Sequence, residues 1–138
     1  MPLPARWFIK TAFVSLVLAL AGGTLAAVET GGVAGFWRPA VVHLFVVGWL
    51  TQLIFGVAYW LFPRYSRERP YGTVWLAWAS YGLLNAGLWL RVVAEPAVAA
   101  GGWPDGRPLL VASALAQTLG VLAYAVYLWP RIRTKGAS

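Results

Sequence analysis

Side chains able to bind metal or carry redox chemistry are scarce in this chain: one histidine, His43, one methionine, Met1, and no cysteine. Without cysteine there are no disulfides, zinc-thiolate sites, iron–sulfur clusters or covalently attached c-type haem. His43 is the residue most able to do chemistry, and two readings of it stand side by side. Its imidazole faces lipid headgroups or caps a nearby carbonyl, or its neutral ring ligates a haem iron. At about 100° per residue of α-helix, Val47, Leu50, Ile54, Val57 and Leu61 fall beneath it, an apolar face suited to a porphyrin. Haem propionates would need cations at the same depth, and Arg38 and Arg91 both lie near that level. An arginine at a helix end also snorkels to the interface without any ligand. Other chemistries lack their parts: there is no phosphate loop, no Gly-x-Ser-x-Gly and no pair of carboxylates within reach of each other.

The elements that position His43 follow from composition. Of 138 residues, 60% are apolar and 11% charged, with a mean hydropathy of +0.68. A soluble domain carries about 25% charged residues, so the chain reads as an integral membrane protein. A hydrocarbon core of about 30 Å needs about 20 apolar residues of helix, and four stretches supply them: 7–28, 39–62, 71–93 and 108–129. Short loops make consecutive helices antiparallel neighbours, so the expected fold is all-α, a single four-helix transmembrane bundle over 1–138. Arg6 and Lys10 ahead of an apolar run, with Ala19-Leu20-Ala21 behind, also resemble a cleavable signal. The run extends to Val28, longer than a usual signal core, and favours a retained first helix.

The net charge of +7, from eleven cations and four acids, forms no nucleic-acid patch. Arg6, Lys10, Arg64, Arg67, Arg69, Arg131, Arg133 and Lys135 share one side of the four spans. Arg38, Arg91 and Arg107 lie on the other with Glu29, Glu95 and Asp105. The positive-inside rule then places both termini in the cytoplasm and the chain in the plasma (inner) membrane as a multi-pass protein. Trp7, Trp37, Trp60, Tyr65, Tyr71, Trp75, Trp103 and Trp129 fall near predicted helix ends, where interfacial aromatics belong. Pro39 suits the first turn of the second helix. Pro63 and Pro70 bracket the second loop, and Pro96, Gly101-Gly102 and Pro104 mark the third.

Within the spans the polar residues form stripes. Gly48, Gln52, Gly56 and Tyr59 make one; Ser113, Gln117, Gly120 and Tyr124 make another; Asn85 lies mid-helix with Trp78, Gly82 and Trp89. Small residues let helices approach and amides hydrogen-bond across the contact, so these are expected packing faces. No Asp, Glu or Lys lies mid-span, which argues against a proton pump or ion-coupled transporter.

The stretch 43–64 contains His43, Gly48-Trp49, Gly56, Tyr59-Trp60 and Pro63-Arg64. It resembles a helix near the C-terminal end of haem-copper oxidase subunit I, especially the cbb3-type branch. In that family two histidines one residue apart precede the Gly-Trp pair, and the helix closes with Gly, an aromatic pair and Pro-Arg. By this resemblance His43 falls on the ligand position of the low-spin haem, Val41 replaces the high-spin ligand, and Arg91 lies near the propionate-binding arginines. The resemblance implies a haem-b-binding membrane protein for electron transfer or gas binding. His43 would be the axial ligand, Arg38 and Arg91 the propionate partners, and Trp49 a packing or tuning residue. The oxidase's copper-site histidines and second axial histidine have no counterpart, so the chain is not a complete oxygen reductase. A second ligand would come from another chain, from a symmetry-related His43 in a homodimer, or be absent. The alternative is an accessory or assembly subunit of a respiratory membrane complex, without a cofactor of its own.

Overall fold

The computed structural model describes residues 1–29, 34–102 and 104–132. Among them there are helices and no strand. Trp103, Arg133 and Lys135, named above, lie outside the described residues. The first helix, α1 (Leu3–Val28), has proline in its opening turn, where its missing N–H costs no hydrogen bond. The second rod is continuous through three stretches: α2 (Ala34–His43), a π-helical stretch (Leu44–Thr51) and α3 (Gln52–Leu61). It ends where Phe62 turns extended, the conformation favoured before Pro63. The third rod is α4 (Val74–Ala99) and the fourth is α5 (Arg107–Leu128), closed by a 3₁₀ turn (Trp129–Arg131).

Two prolines depart from the sequence expectation. Pro39 lies inside α2, because that helix reaches back to Ala34. The hydrogen bond it withholds is that of Gly35, an exposed residue of the first turn whose carbonyl water can satisfy. Pro96 lies inside α4, which runs past the expected end at 93 to Ala99.

Three rods are long and apolar enough to cross a membrane: Leu3–Val28, Gly35–Leu61 and Arg107–Arg131. The helix α4, expected as a span over 71–93, has the length but is not among these three. It carries Ser80, Asn85, Arg91 and Glu95, and it packs chiefly against α5 and the α2 part of the second rod, while α1 packs on the second rod. Asn85 bonds to Gln52 of the second rod, whereas Arg91 and Glu95 pair with each other within the helix.

Contacts fix the alternation of direction. Gly22 meets Val41, Gly48 meets Ser15, and Gly56 meets Phe8 and Ala5, so α1 and the second rod are antiparallel. Gly87 meets Ser113 and Gly120 meets Leu84, so α4 and α5 are antiparallel as well. Met1, the loop 62–73 and Ile132 therefore gather at one end of the bundle, with His43 toward the other. The core has two tiers. Near the loop end, Phe8 stands edge-on to Phe55, Tyr81 and Tyr124 at 6.0, 5.3 and 5.8 Å, amid Ala5, Tyr59, Ala77, Leu84 and Tyr127. Toward the far end Ala19, Leu44 and Leu88 close a smaller tier. Outside, Val17, Leu115 and Val126 stand well exposed, an apolar exterior matched to hydrocarbon.

Two of the stripes expected as packing faces, on the second rod and on α5, are buried. Asn85 instead shares its α4 face with exposed Gly82 and half-buried Trp78 and Trp89, the buried face of α4 being Ala77, Ser80, Leu84, Gly87 and Leu88. Gln52 and Asn85 exchange two hydrogen bonds, each amide nitrogen donating to the other's oxygen at 3.1 and 3.0 Å, and Asn85 also donates to the Tyr81 carbonyl. Ser113 donates to the Gly87 carbonyl of α4, and Gln117 donates to the Ser113 hydroxyl at 3.0 Å. Tyr124 donates its hydroxyl to the Phe55 carbonyl.

Arg131, read from sequence as a topology cation, is 1% exposed. Its guanidinium donates to the Tyr59, Phe62 and Pro63 carbonyls at 2.8, 2.8 and 2.9 Å and to the Tyr127 hydroxyl at 2.7 Å. The rings of Tyr59, Tyr71 and Tyr127 lie within 5.8 Å of it. It thus closes the C-terminus of α3, where the helix dipole favours a cation and the last carbonyls lack helical partners. Tyr71, expected only as an interfacial aromatic, is also a wall of this cage.

Candidate functional site

His43 is the last residue of α2, at the point where the helix widens. Its ring is half-buried, and Nδ1 lies 2.9 Å from the Pro39 carbonyl, one turn earlier. A carbonyl only accepts, so Nδ1 carries the proton of the neutral ring and Nε2 carries the lone pair. Among the described residues Nε2 has no hydrogen-bond partner.

The widening changes what lies beneath His43. In a π-helix the hydrogen bonds reach five residues back, and Thr51 adds one of that span from its own Oγ1 to the Val46 carbonyl at 2.9 Å. Side chains then recur at about every fourth residue through this stretch. Leu44, Gly48, Gln52 and Gly56 form the buried line, and His43, Val47, Thr51 and Phe55 form a half-buried line beside it. Leu50, Ile54, Val57 and Leu61, expected under His43 from α-helical stepping, point outward on a different face. Only Val47 keeps its place, packed against both tiers of the core.

The half-buried line borders a cleft between the second rod and α5. Val47 and Thr51 face Gln117, Thr118, Val121 and Leu122 across it, with Leu84 also lining a space of about 300 Å³. His43 stands one turn further along the same line, toward the far end.

The other predicted site residues are not gathered around the imidazole. Arg91 is held by Glu95, four residues on, at 2.7 Å from Nε to Oε2 and 3.2 Å from Nη2 to Oε1. Sequence reasoning put Glu95 on the correct side but did not pair it, although spacing of four on a helix is the usual signal. Arg38 is exposed and precedes His43 by five residues. Trp49 packs against Phe45, with ring centroids 4.9 Å apart and planes inclined at 51°, and its buried indole N–H has no partner. Being six residues past His43, it lies on neither the histidine's line nor the buried one. Val41 borders a separate apolar groove of about 610 Å³ between α1 and α2, with Ala19, Gly23 and Thr24 across from it.

Chemically, the arrangement offers a single imidazole nitrogen with its proton fixed on the other side of the ring. Among the described residues no three His, Cys, Asp or Glu side chains come together as a metal site. Comparison with protein-family models, with curated proteins and with solved structures finds no match to this chain.

Proposed function

We propose that the chain is a multi-pass protein of the plasma (inner) membrane with both termini cytoplasmic, and that it binds one haem b through His43. The orientation rests on charge: the acids and cations of the His43 end cancel, whereas the described residues of the loop end hold six cations against the single acid Glu68. All four rods, α4 included, would cross the bilayer.

One observation carries the haem reading. Metal-ligating histidines donate their second ring N–H to a carbonyl or carboxylate, which fixes the tautomer and raises ligand basicity. The Pro39 carbonyl does this for His43. The resemblance of 43–64 to the oxidase helix supports the same residue. Bound there, a b-type haem would supply a one-electron centre or a gas-binding iron. The chain's own residues would hold it as follows: His43 Nε2 as axial ligand, exposed Arg38 as propionate partner, and Val47 and Thr51 along the adjoining cleft. Arg91 serves a propionate only if it shares its guanidinium with Glu95. Trp49 supports the rod through Phe45.

The test is the reduced-minus-oxidised absorption spectrum of protein purified after expression with haem supply. A Soret and an alpha band are expected, both lost in His43→Ala. Absence of the bands, or bands indifferent to that substitution, defeats the reading.

The Arg91–Glu95 pair favours a second reading, an accessory or assembly subunit of a respiratory complex without its own cofactor. An arginine already neutralised within its helix needs no propionate. That reading expects co-purification with larger membrane subunits and assembly unchanged by His43→Ala.

A further inference from the structure

The second rod and α5 are joined near the loop end, where Phe55 and Tyr124 stack with ring centroids 3.9 Å apart and Tyr59 and Tyr127 with centroids 5.4 Å apart. Toward the His43 end α5 lies against α4, Gly87 meeting Ser113. The cleft of about 300 Å³ bordered by Thr51, Gln117 and Thr118 opens between the two rods there. Thr118, Val121 and Leu122 on its α5 side are exposed, so it faces the bilayer. Its size is at the lower end of small-molecule sites.

The polar groups of the cleft are fixed in one sense. Ser113 donates its proton to the Gly87 carbonyl, so its oxygen can only accept, and the Gln117 atom 3.0 Å from it is the amide nitrogen. The amide oxygen of Gln117 is thereby turned away from Ser113. It has no hydrogen-bond partner among the described residues, although Gln117 is only 9% exposed, and it is not one of the sealed polar atoms of the core. Thr51 commits its hydroxyl proton to the Val46 carbonyl and Thr118 commits its own to the Ala114 carbonyl, each at 2.9 Å. Three oxygens with open lone pairs therefore border the cleft, against one uncommitted proton, the second amide N–H of Gln117.

The depth of these oxygens restricts what can reach them. Thr51 lies ten residues before the end of its apolar rod at Leu61, and Thr118 lies eleven after the start of its own at Arg107. At 1.5 Å per residue both are at least about 15 Å from the nearer end, the middle of a hydrocarbon core of about 30 Å. Polar groups are costly to leave unmet at that level, and phospholipid heads stay at the surface.

We propose that this cleft binds a membrane quinol, an aromatic ring carrying hydroxyl donors on a long apolar tail, in preference to the corresponding quinone. Such a ring takes its hydroxyls with it into hydrocarbon and brings the protons that the three oxygens lack. The carbonyls of a quinone only accept, and they would meet three acceptors and a single N–H. Val47, Leu84, Val121 and Leu122 supply the apolar wall for the ring faces and the tail.

The experiment titrates the whole chain in nanodiscs, without oxygen, with decylubiquinol and with decylubiquinone, and reads melting temperature and retained ligand by native mass spectrometry. Nonylphenol and its methyl ether, nonylanisole, form a second pair that differs in one donor and does not oxidise under these conditions. A saturable rise in melting temperature is expected with the quinol. At about threefold per hydrogen bond within a membrane bundle, the quinone should bind about eightfold more weakly and the ether about threefold more weakly than its phenol. Thr51→Val with Thr118→Val, which keeps the shape of both side chains, should narrow these ratios, and so should Gln117→Leu. Thr24→Val is the control: its hydroxyl is committed to the Leu20 carbonyl in the same way but borders the groove between α1 and α2, and its loss should change nothing. His43→Ala should bind the quinol as wild type does, so failure here and failure of the haem reading are separate results. Equal affinity for quinol and quinone overturns the proposal. So does a preference that survives both sets of substitutions in folded protein, or the lack of saturable binding, in which case water alone serves the three oxygens.

Discussion

Arg131 shows how much one side chain can hold in a bundle whose surface is hydrocarbon-facing. Its planar guanidinium serves three carbonyls and a hydroxyl at once. A lysine cannot reproduce that fork. Arg131→Met is expected to cost about 2–3 kcal/mol, since hydrogen bonds to a charged donor are lost and their acceptors stay buried. Arg131→Lys should recover less than half of that, measured as melting temperature in detergent. The Gln52–Asn85 pair should behave differently, because each amide is the other's main partner. Gln52→Leu or Asn85→Leu alone should destabilise more than the double replacement. A double-mutant cycle should give a coupling of about 0.6 kcal/mol, the usual size for such bonds within a membrane bundle. A cycle with no coupling would mean that water replaces the lost partner. The two amides were each legible in the sequence as polar residues expected to bond across a helix contact, but their pairing with each other was not. The arginine cage was not legible either, because Tyr59 and Tyr71 come from distant positions and a cation at a helix end reads first as a headgroup contact. Its one local signal was Tyr127, four residues before Arg131 on the same helix face.

At the scale of the helices, glycine decides where rods approach. A Cβ on Gly56 would meet Phe8 Cβ at 3.0 Å and the Ala5 carbonyl at 3.1 Å, whereas one on Gly82 would meet nothing within 4 Å. Gly56→Leu should therefore destabilise by about 1–3 kcal/mol through overpacking, while Gly82→Ala should be neutral or slightly stabilising because it removes backbone freedom. Thermal melts of the two variants against wild type check both signs. The rods themselves were legible to within a few residues, since apolar length and loop punctuation set them. The π-helical stretch was not. Leu44–Thr51 is an apolar run with one glycine, and nothing in it distinguishes hydrogen bonds to the fourth residue back from bonds to the fifth. That small change per turn accumulates over the stretch, and so the side chains under His43 were misassigned while the buried line, anchored by Gln52 and Gly56, was not. The extra width also explains how His43 stands beside Val47 and Thr51 at the α5 cleft.

The described residues form an up-and-down bundle with Met1, Ile132 and the longest described loop at one end. Because the chain has no cysteine, single introduced thiols report orientation without background. Ser66→Cys in the loop should be shielded from an impermeant maleimide in intact cells and react after lysis, whereas Asp105→Cys should react in intact cells. The reverse pattern would overturn the cytoplasmic assignment. The expectation rests on the charge distribution of the sequence. Which neighbours each rod takes was not readable, since short loops fix direction but not the choice among adjacent faces. Arg131 also bears on the order of biosynthesis. It satisfies the Tyr59 carbonyl from 72 residues downstream. A ribosome that has delivered the first three rods has made a second rod whose final carbonyls still lack this donor. Insertion can begin helix by helix, but the bundle locks only when translation passes residue 131.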